Sequence, residues 1–298
     1  MILTEFDLMA LISKWAIYVS FASLIGGTFM LGLLREQHSE VVAIRRYIVI
    51  GTCLGVIAVV INFFAQVGAF AESGFAGMFD TEMRQFLWSS PIGESVTWRI
   101  IGFSIVLIAC GSVLGPVNAL RRVAWIGLLV GGLILATSFS LLGHSAELNR
   151  FAQGMLLLHV LVIGSWVGSF YPLWRLCAHA DLTLIRHVMD KFGQLGIGIV
   201  ILVSGSGGAL LWQLFDKPAE FFNSNYGLAI SLKLSFFSII LLIAGLHKFI
   251  LVPRLKIENT QIALRKLKLS IAIEGLVALF ILTITAVFSS VFGPESLS

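Results

Sequence analysis

Eight runs of apolar residues, at about 12–34, 47–71, 98–116, 123–142, 151–174, 192–214, 228–252 and 269–292, dominate this chain. Crossing about 30 Å of hydrocarbon at a rise of 1.5 Å per residue takes about 20 residues, and every run is close to that length. Inside a bilayer the backbone must satisfy its own hydrogen bonds, so such runs are predicted as helices. The gaps are short, the longest running from Glu72 to Thr97, and leave no room for a separate soluble domain. Only 12% of the 298 residues are charged, while 58% are apolar. A soluble domain carries about 25% charge, so a soluble enzyme, a disordered chain and a disulfide scaffold are all excluded. The expectation is an all-α, polytopic membrane protein: one eight-helix transmembrane domain spanning residues 1–298.

Charge sets the expected orientation. One set of loops holds Arg35, Arg45, Arg46, Arg121, Arg122, Arg175, Arg186, Lys191, Lys248, Arg254, Lys256, Arg265, Lys266 and Lys268. The opposite set holds only Arg84, Arg99, Arg150 and Lys217, and is rich in acids such as Glu72, Asp80, Glu82, Glu94, Glu147, Asp216 and Glu220. Lys and Arg accumulate on the cytoplasmic side, so both termini are expected to face out. The net charge of +4 then reads as an insertion signal, and nucleic acid need not be invoked. Most tryptophans fall near one interface or the other, with Trp166 the exception, deep in the fifth run. The acidic start, Met1 to Asp7, lacks the basic region of a secretory signal, so the first run is expected to be retained as a span. Three cysteines without CxxC spacing imply neither disulfides nor zinc. Glycine pairs four apart (Gly51/Gly55, Gly111/Gly115, Gly127/Gly131, Gly164/Gly168) read as helix-packing positions.

So little polar chemistry remains inside the spans that each ionisable group becomes a functional candidate. These are Lys14, Arg99, His159, Lys233 and Glu274. Lys14, Arg99 and Lys233 lie near the outer interface, where they either snorkel to the headgroups or line a polar cavity. Glu274 either pairs with the basic loop before it or serves a transport path. His159 stands eight residues into the fifth run, with Met155 one turn above it and Trp166 continuing the face below. His144 and Glu147 follow the fourth run in the outer loop. Thioether, imidazole and carboxylate together suit copper, since soft sulfur favours Cu(I) and imidazole serves both oxidation states. Spacing alone leaves a plainer reading equally open: a histidine bonded to a neighbouring helix, with a core methionine beside it. The loop Met78 to Met83 is either a metal-capturing segment or an interfacial amphipathic helix.

The same residues carry a likeness. Ser140-Leu-Leu-Gly-His144-Ser-Ala followed by Leu158-His159 and Trp166-Val-Gly168 resembles the CopD/PcoD copper-resistance membrane protein family. Pro91-Ile-Gly93 with Trp98-Arg99, Tyr226-Gly227 with Lys233, Pro253-Arg-Leu255, Leu264-Arg265, Glu274 and Pro294 extend the resemblance over nearly the whole chain. Three departures stand out. Gly143-His-Ser replaces Gly-His-Ala, His247-Lys248 stands where the family pattern has Asn-Arg, and Ser204-Gly-Ser-Gly-Gly208 replaces a Thr-Gly pair.

The resemblance implies copper transport or copper tolerance at the bacterial inner membrane, directed inward. Its expected metal ligands are His144, His159, Met155 and Glu147, with Trp166, Lys233, Arg99 and Glu274 along the path. It also implies a separate periplasmic CopC-like carrier as partner. No Walker A motif appears, so ATP-driven pumping is not expected. Two rivals remain at this level: a b-type haem redox protein ligated by histidines, and an assembly protein in which the histidines only tie helices together. No catalytic residue is expected.

Overall fold

The computed structural model describes residues 4–112, 118–142, 149–214, 225–255 and 260–291. Among the described residues every element is helical, and eight helices are long and apolar enough to cross a membrane. Helix α1 (Glu5–Leu33) is followed by α2 (His38–Ala71), a 3₁₀ turn (Gly74–Phe79) and a short α3 (Thr81–Trp88). Then come α4 (Pro91–Ser112), α5 (Asn118–Thr137) with a 3₁₀ extension to Ser140, α6 (Arg150–Val167) and α7 (Phe170–His179). The remainder comprises α8 (Leu182–Leu214), α9 (Asn225–Leu246) and α10 (Thr260–Val291). A π-helical turn (His247–Leu251) and a last α turn (Val252–Arg254) prolong α9.

Each expected run lies on one of these spans, but the helices overrun the apolar stretches. The second runs from His38 where hydropathy marks 47, and the sixth from Leu182 where it marks 192. Hydropathy reports the part that meets hydrocarbon, whereas backbone hydrogen bonding continues into the headgroup layer. Local chemistry sets the starts. Thr4 accepts from the Asp7 amide at 3.2 Å while Asp7 accepts from the Thr4 amide at 2.9 Å, a reciprocal cap on α1. Asn149 caps α6 by accepting from Ala152 N at 2.9 Å.

Helix α1 is the hub, packing on α2, α5, α6 and α10. Ile17, Leu24, Met30 and Leu31 are fully buried along it. Small residues allow the approach. Gly26 lies against the backbone of Gly168, and Gly168 against the carbonyl of Ala22, so a Cβ at either position would strike main chain. Gly51 and Gly55 receive Ser23 and Phe103, and Gly127 and Gly131 receive Ala109 and Val106. Three of the four glycine pairs therefore pack helices. Of the fourth, Gly111 does not, since a Cβ there would meet open space, and Gly115 is outside the described residues. The apolar residues Ile50, Ile57 and Ile61 on α2, Ile126 and Leu133 on α5, and Leu242 and Phe249 on α9 are exposed, as a lipid-facing surface requires.

The stretch after α2 forms the 3₁₀ turn and the short helix α3. Asp80 spends its Oδ1 on the Met83 amide, 2.8 Å away, as the N-cap of α3. Met78 packs on Gly68, and Met83 packs against the core.

Candidate functional site

The ionisable groups within the spans fall into two layers, one at each end of the helices. At the acidic end, α6 and α8 are tied together where Asn149 Nδ2 donates to Gln213 Oε1 at 2.9 Å. Nine residues below the start of α6, about 14 Å along the helix, His159 turns towards α8 and meets Ser206, with Nδ1 and Oγ 3.0 Å apart. Gly207 provides the room: a Cβ there would lie 3.1 Å from Cε1 of the ring.

The proton on this imidazole follows from the serine. A hydroxyl has one hydrogen, and Ser206 Oγ directs it to its own helix, with the Leu202 carbonyl at 2.6 Å and that of Val203 at 3.3 Å. Its lone pairs therefore face His159, and Nδ1 donates. In the neutral ring Nε2 is then left with an unshared pair, the form in which imidazole binds a metal. Met155, one turn earlier on α6, is half-buried. Trp166, 7% exposed, packs on Phe170 of α7 and Phe237 of α9 at ring distances of 6.4 and 6.2 Å. Lys233 of α9 is half-buried and within electrostatic reach of His159. His144 and Glu147 lie outside the described residues.

The other two cations of this layer do not snorkel freely into lipid. Arg99 is only 7% exposed, donates from Nε to Ser138 Oγ at 3.2 Å, and lies 5.4 Å from the Phe139 ring centre. Lys14 donates to the Ser289 carbonyl at 2.8 Å, and the Tyr18 hydroxyl is 3.2 Å from Ser289 Oγ. Arg99 and Lys14 thus join α1, α4, α5 and α10. Among the described residues, neither Arg99 nor Lys233 forms an ion pair with a carboxylate.

At the basic end, Glu274 of α10 is 2% exposed. Among the described residues its partner is not a lysine or arginine but His247, whose Nδ1 is 3.1 Å from Glu274 Oε2. His247 Nε2 is 2.6 Å from Ser270 Oγ. The neighbouring lysines are engaged elsewhere: Lys248 donates to the Gly193 carbonyl at 3.0 Å, and Lys268 lies 4.4 Å from the Trp174 ring centre. His38, His179 and His187 also lie towards this end, so His159 is the one described histidine of the acidic half. Haem held by two histidines of that half would need His144 as its second ligand.

With this arrangement in view, comparison with protein families is decisive. A family model described as copper resistance protein D-like, N-terminal domain, matches residues 5–155, and one described as copper resistance protein D matches residues 186–288. The chain belongs to the copper resistance protein D (CopD) family. It is accordingly a copper-resistance membrane protein, with eight apolar helices. Neither a curated protein nor a solved structure matches the chain. Met155 and Arg99 fall within the first CopD match, and Lys233, His247 and Glu274 within the second. His159 and Trp166 lie in the interval between them. Sequence reasoning missed Ser206, Ser270 and Phe237, the side chains that hold His159, His247 and Trp166. Serines and an apolar residue on a helix carry no signal of that kind by themselves.

Proposed function

We propose that this CopD-family protein carries copper inward across the bacterial inner membrane, its eight helices working as one domain. Its basic loops would face the cytoplasm and both termini the periplasm, as the Lys/Arg asymmetry favours. The observation that carries the reading is the unshared Nε2 pair of His159, fixed by Ser206 inside the acidic half of the molecule. In this account His144 and Glu147 receive copper from a CopC-like periplasmic carrier, acting as the outermost ligands. His159 takes the ion next, with the Met155 thioether as a soft auxiliary suited to Cu(I). Trp166, wedged between Phe170 and Phe237, closes the way below. Lys233 limits how long a cation rests on His159, and Arg99, held by Ser138 and Phe139, adds a second fixed positive charge to the outer layer.

The test is copper accumulation in cells producing equal amounts of the wild type, His144→Ala, His159→Ala or Lys233→Met. Either histidine change is expected to bring accumulation down to that of cells lacking the protein. Lys233→Met is expected to slow uptake while raising the copper retained by the purified protein. Accumulation unchanged in both histidine variants would contradict the ligand assignment.

A further inference from the structure

The second polar layer has the makings of a metal site of its own. His247 and Glu274 come from different helices, α9 and α10, and meet in the interior with their donor atoms 3.1 Å apart. Two ligands bound to one ion at about 2.0–2.1 Å, with an angle between 90° and 110°, stand about 2.9–3.4 Å apart. The pair therefore already has the bite of a chelate. His247 opens a π-helical turn, a widened geometry that recurs at functional sites. This is also a position where the chain departs from the family pattern, with histidine in place of asparagine.

We propose that His247 Nδ1 and Glu274 bind the copper ion as an inner station, from which it leaves to the cytoplasm. This rests on the reading of copper as cargo. Ser270 makes the exchange possible without an unpaired group. With Nδ1 protonated and donating to Glu274, the Ser270 hydroxyl donates to Nε2. When copper takes Nδ1, the proton resides on Nε2 and the same hydroxyl turns to accept it. A neutral imidazole thus changes tautomer with no net loss of a proton, and a doubly protonated one releases a single proton to solvent. The site contrasts with His159, where Ser206 commits its hydrogen to Leu202 and fixes one tautomer. Only two strong protein ligands hold the ion, which suits release over storage.

The experiment is equilibrium dialysis of the purified full-length protein against Cu(II), and against Cu(I) under reductant, with metal counted per chain. The variants are His144→Ala/His159→Ala, and that pair combined with either His247→Asn or Glu274→Gln. Gel filtration of each establishes that it is folded, and Glu274→Gln covers the case in which His247→Asn is not. The double histidine variant is expected to keep one copper equivalent. Adding either inner change should weaken that equivalent at least ten-fold, and His247→Asn, which removes the nitrogen ligand, should also abolish the nitrogen hyperfine structure of the Cu(II) spectrum. If the double variant binds no copper while the wild type does, the inner station is wrong and the outer site stands. If the remaining equivalent survives both inner changes, the inner station is likewise wrong. If the wild type binds no copper above a protein-free control, both readings fall.

Discussion

At the scale of single residues, the imidazole of His159 is defined by Ser206, which the sequence shows only as part of the Ser204–Gly208 stretch and with no sign of its role. Ser23, Thr52 and Ser165 all turn their hydroxyls back to their own helices, at 2.7–2.8 Å, as serine and threonine in membrane helices commonly do. Ser206 does so too, and only the packing of α6 on α8 shows that its lone pairs also meet His159. Ser206→Ala removes the acceptor and lets the ring turn. It is expected to weaken copper binding by about ten-fold, the usual scale for losing a group that orients a metal-binding histidine, with thermal stability little changed. Copper titration of the purified variant beside the wild type checks this. His159 itself was legible in the sequence, because an ionisable group in a span is rare. Arg99 was legible as a candidate but not in its setting: sequence left open snorkelling or a polar cavity, and burial with contacts to Ser138 and Phe139 argues against snorkelling. His144 and Glu147 rest on the family resemblance.

At the scale of helices, the decisive contact is the crossing of α1 with the α6–α7 junction. The fifth span is broken there, between Val167 and Phe170. Gly168 faces the Ala22 carbonyl, and Ser169 Oγ donates back to the Ser165 carbonyl at 2.6 Å. Hydropathy is blind to such a break because both halves are apolar, whereas the Gly164/Gly168 spacing did point to close packing. Gly168→Ala is expected to destabilise the protein by about 2 kcal/mol, since the new methyl meets backbone that cannot move aside. Gly196 in α8 has nothing within 4 Å of a Cβ, so Gly196→Ala should be neutral or stabilise by about 0.5 kcal/mol through lower chain entropy. Thermal unfolding in one detergent compares the two. Similar losses from both would mean that the crossing does not matter. The π turn at His247 was also beyond hydropathy, because it depends on tertiary contacts, whereas a short helix near Met78 to Met83 was one of the two readings that the sequence offered.

At the scale of the whole molecule, the number of spans and the charge asymmetry were plain in the sequence, because a bilayer permits few alternatives. The sequence also placed Lys14, Arg99 and Lys233 towards the outer interface; what it could not show was the partner each group finds, Ser206 for His159 and Ser138 for Arg99 in the acidic half, and His247 for Glu274 in the basic half. In the proposed account that division provides two stations for a cargo ion, with the Trp166–Phe237 contact between the outer one and the interior. The central claim is that copper crosses by way of His159. Its most direct test is copper uptake into proteoliposomes containing the purified protein and a copper chelator trapped inside. The wild type is expected to load the chelator well above protein-free liposomes, and His159→Ala at equal reconstitution to fall to the protein-free rate. Equal loading by His159→Ala and the wild type would contradict the account.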